Sequence, residues 1–289
     1  MDALPVLLVF VSAVSHGLWN YLAKAGDDKE SFMLLLNVSS LILMIPVFYL
    51  ILPEIYFPWE ILPYLLVSGL AEVVYFIGLG KAYEAGDLSV VYPVARSSPV
   101  FVTIVAALFL GEHISLTGLL GILIIFIGVY VLHLKGLTVA DFSAPLKYLT
   151  SRSSRYAIIA ALGTTVYSIT DKLGVTTVNP LLYSFWLGFF VTGMMTIAVV
   201  LRRGVTPILN ELKNPLKVSF AGVLMRGGYM LVLYAMSIAP VSYILALRQV
   251  SVVIGALMGV VFLKESYGRV RVIGSIIIFL GVFLLGVFA

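Results

Sequence analysis

The chain has 289 residues, of which 61% are hydrophobic and only 11% charged, with a mean hydropathy of +1.11. A soluble domain of this length needs far more charge to cover its surface, so the composition implies an integral membrane protein. The net charge of +4 does not point to nucleic acid, because most basic residues fall in short loops between apolar runs. The absence of cysteine excludes a disulfide, a thiol nucleophile and a thiolate metal site.

A helix needs roughly 20 residues to cross the hydrocarbon core. Ten runs meet that length, at about 4–23, 32–52, 62–82, 88–110, 115–134, 155–175, 181–201, 216–237, 241–263 and 270–288. Between them lie charged or turn-forming breaks such as "KAGDDKE" (24–30), "PEIYFPWE" (53–60), "GEHIS" (111–115) and "RRGVTP" (202–207). The first run reads as a span rather than a secretory signal: Asp2 stands where a basic region belongs, and no small-residue cleavage site follows. The longest break, about 135–154, divides the chain near its middle.

The two halves are copies. "FLGE" at 109–112 returns as "FLKE" at 262–265, and at the same offset of 153 "GILIIFIGVYVL" (121–132) matches "GSIIIFLGVFLL" (274–285) at seven of twelve positions. Five spans make an odd number of crossings, so the second copy enters the membrane upside down. The fold class expected is therefore an all-α membrane protein of ten transmembrane helices in two inverted five-helix repeats. Residues 1–136 and 155–289 form the repeats and 137–154 the connecting loop. Inverted repeats of this kind place a substrate site near the midplane, between the halves.

Loop charge gives the orientation. Loops after odd-numbered spans, with their flanks, carry Lys24, Lys29, Lys81, Lys135, Lys147, Arg152, Arg155, Arg202, Arg203, Lys213, Lys217, Lys264, Arg269 and Arg271, whereas loops after even-numbered spans carry no Lys or Arg. By the positive-inside rule the odd loops are cytoplasmic and both termini lie outside, in a multi-pass protein of the cytoplasmic membrane.

The stretch 78–132, "GLGKAYEAGDLSVVYPVARSSPVFVTIVAALFLGEHISLTGLLGILIIFIGVYVL", resembles the EamA-type half of the drug/metabolite transporter superfamily. The resemblance rests on Ala82, the turn Gly86–Asp87, Pro99–Val100, "FLGE" ending at Glu112 and the glycine-rich closing helix. The second copy keeps Ala235, the turn Ala239–Pro240, "FLKE" and the closing helix, with Val252 where the family often has proline. The resemblance implies a ten-span exporter of amino acids, nucleosides, drugs or other metabolites. It also implies termini inside, against the loop charges, and we follow the charges.

Four basic residues remain inside spans, Arg96, Lys172, Arg226 and Arg248, together with the acidic Glu72 and Asp171. A charge at the bilayer centre costs about 2.5–3.5 kcal/mol on insertion scales, so these side chains seek a partner or a watery cavity. At the repeat offset Glu72 aligns with Met225, Val73 with Arg226, Ala95 with Arg248 and Arg96 with Gln249. Spans three, four, eight and nine thus bring charge to one depth. A guanidinium is a planar fork of donors suited to carboxylate or phosphate. The expected ligand is an anionic or carboxylate-bearing solute held by Arg96, with Arg226, Arg248 and Gln249 beside it. The competing reading is a structural Glu72–Arg226 ion pair.

Pro93 and Pro99 flank Arg96 and remove two backbone donors. Broken helix at membrane depth is tolerated where it is buried or lines an aqueous cavity, which marks a kinked segment and a hinge. The second copy, "ALRQVSVV" (246–253), has no proline, so the halves are expected to bend unequally. With Lys24 set against Lys172, Trp19 meets Tyr167 and Asn20 meets Ser168 as paired lining elements. Tyr75, Tyr92, Trp186, Tyr229 and Tyr234 are further aromatic candidates. His16 is the candidate for a coupling proton, and Asp171 and Lys172 are candidates for coupling or a gate. Gly121, Gly128, Gly274 and Gly281 sit on one helix face and predict close helix packing.

An intramembrane enzyme is disfavoured: with only His16, His113 and His133 and no HExxH or DxxD pattern, no catalytic set or metal site is spelled out. No cofactor is expected. The sequence reading is a secondary-active, alternating-access exporter of a small polar organic metabolite, carboxylate-bearing like an amino acid, acting as monomer or homodimer. A transporter of lipid or phosphate headgroups on the same fold is the alternative.

Overall fold

In lipid every backbone polar group must be satisfied within the chain, and the described residues accordingly form helices and turns without a strand. The structure is a computed structural model and describes residues 2–24, 28–85, 94–134, 136, 138–147, 150–254, 257 and 268–288. Tyr92, Pro93 and the second motif "FLKE" lie outside them. Each expected span has its helix: α1 (Ala3–Lys24), α2 (Lys29–Ile51), α3 (Leu62–Ala85), α4 (Ser98–Phe109), α5 (Leu116–Leu132), α6 (Arg152–Thr177), α7 (Pro180–Arg203), α8 (Pro215–Ile238), α9 (Val241–Leu247) and α10 (Arg269–Phe288). Two short helices, Val139–Lys147 and Thr206–Glu211, lie outside this set; the first occupies a stretch expected to be plain loop.

Local chemistry sets the boundaries. Asp28 caps α2 through the Ser31 amide, Ser115 caps α5 through Gly118, Ser151 caps α6 through Ser154, and Asn179 caps α7 with Pro180 in its first turn. Gly204, at φ +74°, ends α7 in a conformation that costs glycine nothing. Six of the described helices are long and apolar enough to cross a membrane on composition alone. The 26-residue α6 is not among them. It carries Arg152, Arg155, Asp171 and Lys172, and buries a face of Ala, Gly, Ser and Thr.

Small side chains let the backbones meet. A Cβ added at Gly163 of α6 would lie 3.0 Å from the Ala71 carbonyl and 3.1 Å from the Tyr75 nitrogen, so α3 and α6 pack backbone to backbone. The glycine face of α5 and α10 closes as expected: a Cβ at Gly274 would sit 2.6 Å from Leu132 Cα, and one at Gly281 2.8 Å from the Gly121 carbonyl. The principal contacts map onto themselves when each helix is exchanged for the one five later. Thus α3–α6 answers α8–α1, α2–α8 answers α7–α3, and α2–α7, α4–α9 and α5–α10 pair across the axis.

Both copies break at the same depth. The first turns at Arg96–Ser97 before α4, and the second turns at Arg248–Gln249 after α9 before helix resumes over 250–254. Ser97 N–H donates to Val94 O at 3.2 Å and Ser97 Oγ to the same oxygen at 2.7 Å. In the second copy Gln249 N–H donates to Ala246 O at 3.0 Å and Val252 N–H to Gln249 O at 2.9 Å. Such three-residue bonds wind the backbone tighter than an α-helix. The second copy thus breaks without a proline, while Pro93 of the first lies outside the described residues. Pro99 sits in the first turn of α4, where its missing N–H is no loss.

Candidate functional site

A cavity of about 50 Å³ lies at mid-depth in the bundle. Helix α1 contributes Ser12, His16 and Trp19, and α2 contributes Asn37. Glu72, Tyr75 and Phe76 come from α3, Tyr167 from α6, and Met225, Arg226 and Tyr229 from α8, with Arg248 at the break. A second cavity of about 30 Å³ adjoins it, sharing His16, Tyr75, Tyr167 and Arg248 and adding Arg96, Thr164 and Gln249. The rings stand edge to face, with Tyr75 and Tyr167 at 5.9 Å, Tyr167 and Tyr229 at 6.2 Å, and His16 and Trp19 at 5.0 Å between centroids. The Arg248 guanidinium lies over the Tyr229 ring at 5.5 Å.

The charged groups are held in different ways. Arg226 is 4% exposed, and its Nε and Nη2 have no hydrogen-bond partner; the guanidinium lies beside Gly188. Glu72 opens into the same cavity, yet among the described residues it makes neither a hydrogen bond nor an ion pair with Arg226. The structural ion pair weighed from the sequence is not formed. Arg96 donates from Nη2 to His16 Nε2 at 2.8 Å. Since a guanidinium has no acceptor, that imidazole nitrogen carries no proton. Asp171 is fully buried behind the cavity wall and accepts from Ser68 Oγ at 2.5 Å, Tyr183 OH at 2.7 Å and Tyr229 OH. Tyr229 therefore touches both the cavity and Asp171.

Other candidates are placed elsewhere. Asn20 Nδ2 bonds back to the His16 carbonyl at 2.8 Å, and Ser168 is buried with its hydroxyl unpartnered; neither lines a cavity, although Trp19 and Tyr167, one residue before each, do. Trp186 donates to the Tyr56 carbonyl at 2.8 Å and packs on Phe57 and Phe185, away from the cavities. Tyr234 is exposed. Lys172 Nζ donates to the carbonyls of Met236 at 2.5 Å and Ala239 at 3.0 Å, closing the end of α8. Asn37 was missed in the sequence, a lone amide in the apolar run "LLLNVSS" (34–40). It lines the cavity with an unpartnered, buried Oδ1.

Charge also ties the halves together at each face. On the odd-loop side Glu30, 2% exposed, accepts Arg202 Nη2 at 3.0 Å and Arg203 Nη2 at 3.0 Å, and Arg203 also reaches Glu84 at 2.6 Å. On the even-loop side the glutamate of "FLGE", Glu112, accepts the Val241 amide at 2.7 Å and Ser242 Oγ at 2.7 Å, capping the broken helix of the other copy. No cluster of three or more metal-ligating side chains occurs among the described residues.

A helical bundle on an internal two-fold, with charged and aromatic side chains converging on two broken helices, is the architecture of a membrane transporter. The model of the EamA-like transporter family matches residues 3–134 and again 154–287. The chain belongs to that family, within the drug/metabolite transporter superfamily, and is a multi-pass membrane protein. It is 25% identical over 222 residues to a protein of Archaeoglobus fulgidus named as an uncharacterized transporter, covering 75% of this chain and 71% of that one. An uncharacterized protein of Methanocaldococcus jannaschii is 26% identical over 132 residues, which are 96% of its length and 45% of this chain. One solved crystal structure superposes with a TM-score of 0.71 over 98% of this chain and 99% of that one, at 17% identity, and shows a shared fold.

Proposed function

We propose that the protein is a secondary-active transporter that works by alternating access and exports a small polar organic metabolite bearing a carboxylate, such as an amino acid. The observation that carries this reading is Arg226, a buried guanidinium with two unpartnered nitrogens at a cavity that also holds Arg248. Guanidinium pairs bind carboxylate through parallel N–H bonds. Glu72 and the Trp19, Tyr75, Tyr167 and Tyr229 rings suit an ammonium group at the ligand's other end. Arg226 thus takes the anchoring role expected of Arg96, whose guanidinium is engaged by His16.

The described cavity is too small for an organic ligand. About 50 Å³ admits a few water molecules, whereas pockets for organic ligands run to about 300–1,000 Å³. Substrate entry then requires the halves, 1–136 and 155–289 joined through 137–154, to part alternately at the two faces. The loop charges put both termini outside the cytoplasmic membrane. The test is a thermal-stability screen of the purified protein against amino acids, simple carboxylates, a glycerophosphate headgroup and cationic amines, with Arg226→Gln in parallel. Amino acids or carboxylates should stabilise the wild type, by about 2.7 kcal/mol at a hundred times Kd, and leave the variant unmoved. Stabilisation of both proteins by neutral or cationic compounds refutes the reading, and a response to glycerophosphate alone moves the substrate to lipid or phosphate.

A further inference from the structure

Two carboxylates approach the cavity from the packed helices α3 and α6, and their surroundings differ in kind. Asp171 accepts three O–H donors, from Ser68, Tyr183 and Tyr229. Glu72 stands one helical turn beyond Ser68 on α3, turned into the cavity, with no donor and no ion-pair partner among the described residues. Each donor favours the ionised form of a carboxylate. Two like charges in one poorly solvated region disfavour ionising both, so such a pair shares a proton.

The other groups around Glu72 do not reverse the order. From α8 and the break after α9, Arg226 and Arg248 favour the ionised form of both carboxylates, Arg226 acting more on Glu72, but neither forms an ion pair with Glu72 among the described residues. Tyr167 on α6, Tyr183 on α7 and Tyr229 on α8 are neutral, and Tyr183 and Tyr229 spend their protons on Asp171. On α1, His16 is held by Arg96 with Nε2 as acceptor. A proton there would break that bond and set two cations against each other, so His16 is a poor carrier.

We propose that Glu72 is a proton-binding site of the central cavity, holding at neutral pH the proton that it shares with Asp171, while Asp171 stays ionised. A ligand ammonium group arriving at Glu72 then displaces the proton, because one carboxylate cannot keep both. Proton and substrate compete for a single group, which is the condition for exchange in opposite directions. That link to transport rests on the amino-acid reading above; the protonation of Glu72 does not.

Infrared spectra of the purified protein in detergent micelles test the site without any substrate. At neutral pH solvent-exposed carboxyl groups, which titrate near about 4, are ionised, so a protonated-carboxyl C=O band reports a buried acid. The wild type should show this band and Glu72→Gln should lose it. Glu72→Asp, which keeps a carboxyl, should shift its frequency and stands in if the glutamine variant fails to fold. A band unchanged in either variant, or none in the wild type, overturns the proposal; persistence in Glu72→Gln puts the proton on Asp171. If instead Arg226→Gln leaves the ligand response intact while the Glu72 band behaves as stated, the substrate reading falls and the proton site stands.

Discussion

Replacing Arg226 by methionine should make the empty protein more stable. The guanidinium is 4% exposed, and two of its nitrogens find no acceptor. An unsatisfied buried polar group costs about 1–3 kcal/mol, and more when charged. Against this stands the attraction of the ionised Asp171, with which the side chain makes neither a hydrogen bond nor an ion pair among the described residues. Methionine keeps an unbranched apolar stem, and the space beside Gly188, where a Cβ on the glycine would lie 3.3 Å from Arg226 Cζ, loses only the charged end of the side chain. Exchanging buried charge for a well-packed apolar side chain commonly gains roughly 1–4 kcal/mol, and a gain of about 1–3 kcal/mol is expected here. The assay is unfolding of the detergent-solubilised protein followed by tryptophan fluorescence, to which Trp19 in the cavity wall contributes. Arg202→Met serves as the opposite control, because it breaks a two-nitrogen contact with Glu30 at 3.2 and 3.0 Å and should destabilise. If Arg226→Met loses more than about 1 kcal/mol, Arg226 holds the fold together and the reasoning from its orphaned nitrogens is wrong.

Glu30→Gln should cost about 2–3 kcal/mol in the same assay: it leaves Arg202 and Arg203 without their buried anion, and their partial exposure discounts the roughly 3–5 kcal/mol of a fully buried pair. Glu84→Gln, at an exposed carboxylate, should cost less than about 1 kcal/mol, and equal losses at the two sites refute the distinction. Single cysteines at Lys213 and Glu54 test the orientation in a chain with no cysteine of its own. In intact cells a membrane-impermeant thiol reagent should label position 54 and not 213, and the reverse pattern puts both termini inside.

Much of the fold was legible because membrane insertion writes long, countable signals. Each of the ten apolar runs gave a helix among the described residues, and glycines spaced seven apart gave the α5–α10 seam. The single charges inside spans were legible as well, since each is costly enough to need a reason: Glu72, Arg226 and Arg248 meet at one cavity, with Arg96 in the next. Partners were not legible. Nothing in the sequence ties Arg96 to His16, Lys172 to the end of α8, or Asp171 to a serine and a tyrosine 103 and 12 residues away, because such pairings arise only once helices pack. One residue of helical rotation, about 100°, decided between lining and filling: Trp19 and Tyr167 face the cavity, and Asn20 and Ser168 turn away. The break at Arg248–Gln249 was hidden for a different reason. Proline is a visible breaker, whereas a change from four-residue to three-residue hydrogen bonding leaves no mark in composition.

The duplication is faithful in path and unfaithful in chemistry, and the difference bears on how a ligand is held. Equivalent helices make equivalent contacts, yet Glu72 has Met225 as its counterpart, Arg226 has Val73, and Arg248 has Ala95. Duplication delivered two breaks at one depth and two copies of each cavity wall. Divergence then placed two guanidinium groups on the second copy's helices and a carboxylate on the first copy's. A symmetric lining would accept a ligand equally well in either of two orientations. This one is polarised, with two guanidinium groups of its lining on one copy and the Glu72 carboxyl on the other. In the proposed alternating-access motion, the distance between Arg226 and Glu72 changes as the halves move. A ligand with unlike ends therefore feels the motion directly, while one with a single charged end can stay attached to one half and resist release. If the proposed site is right, the preferred cargo therefore carries both charges.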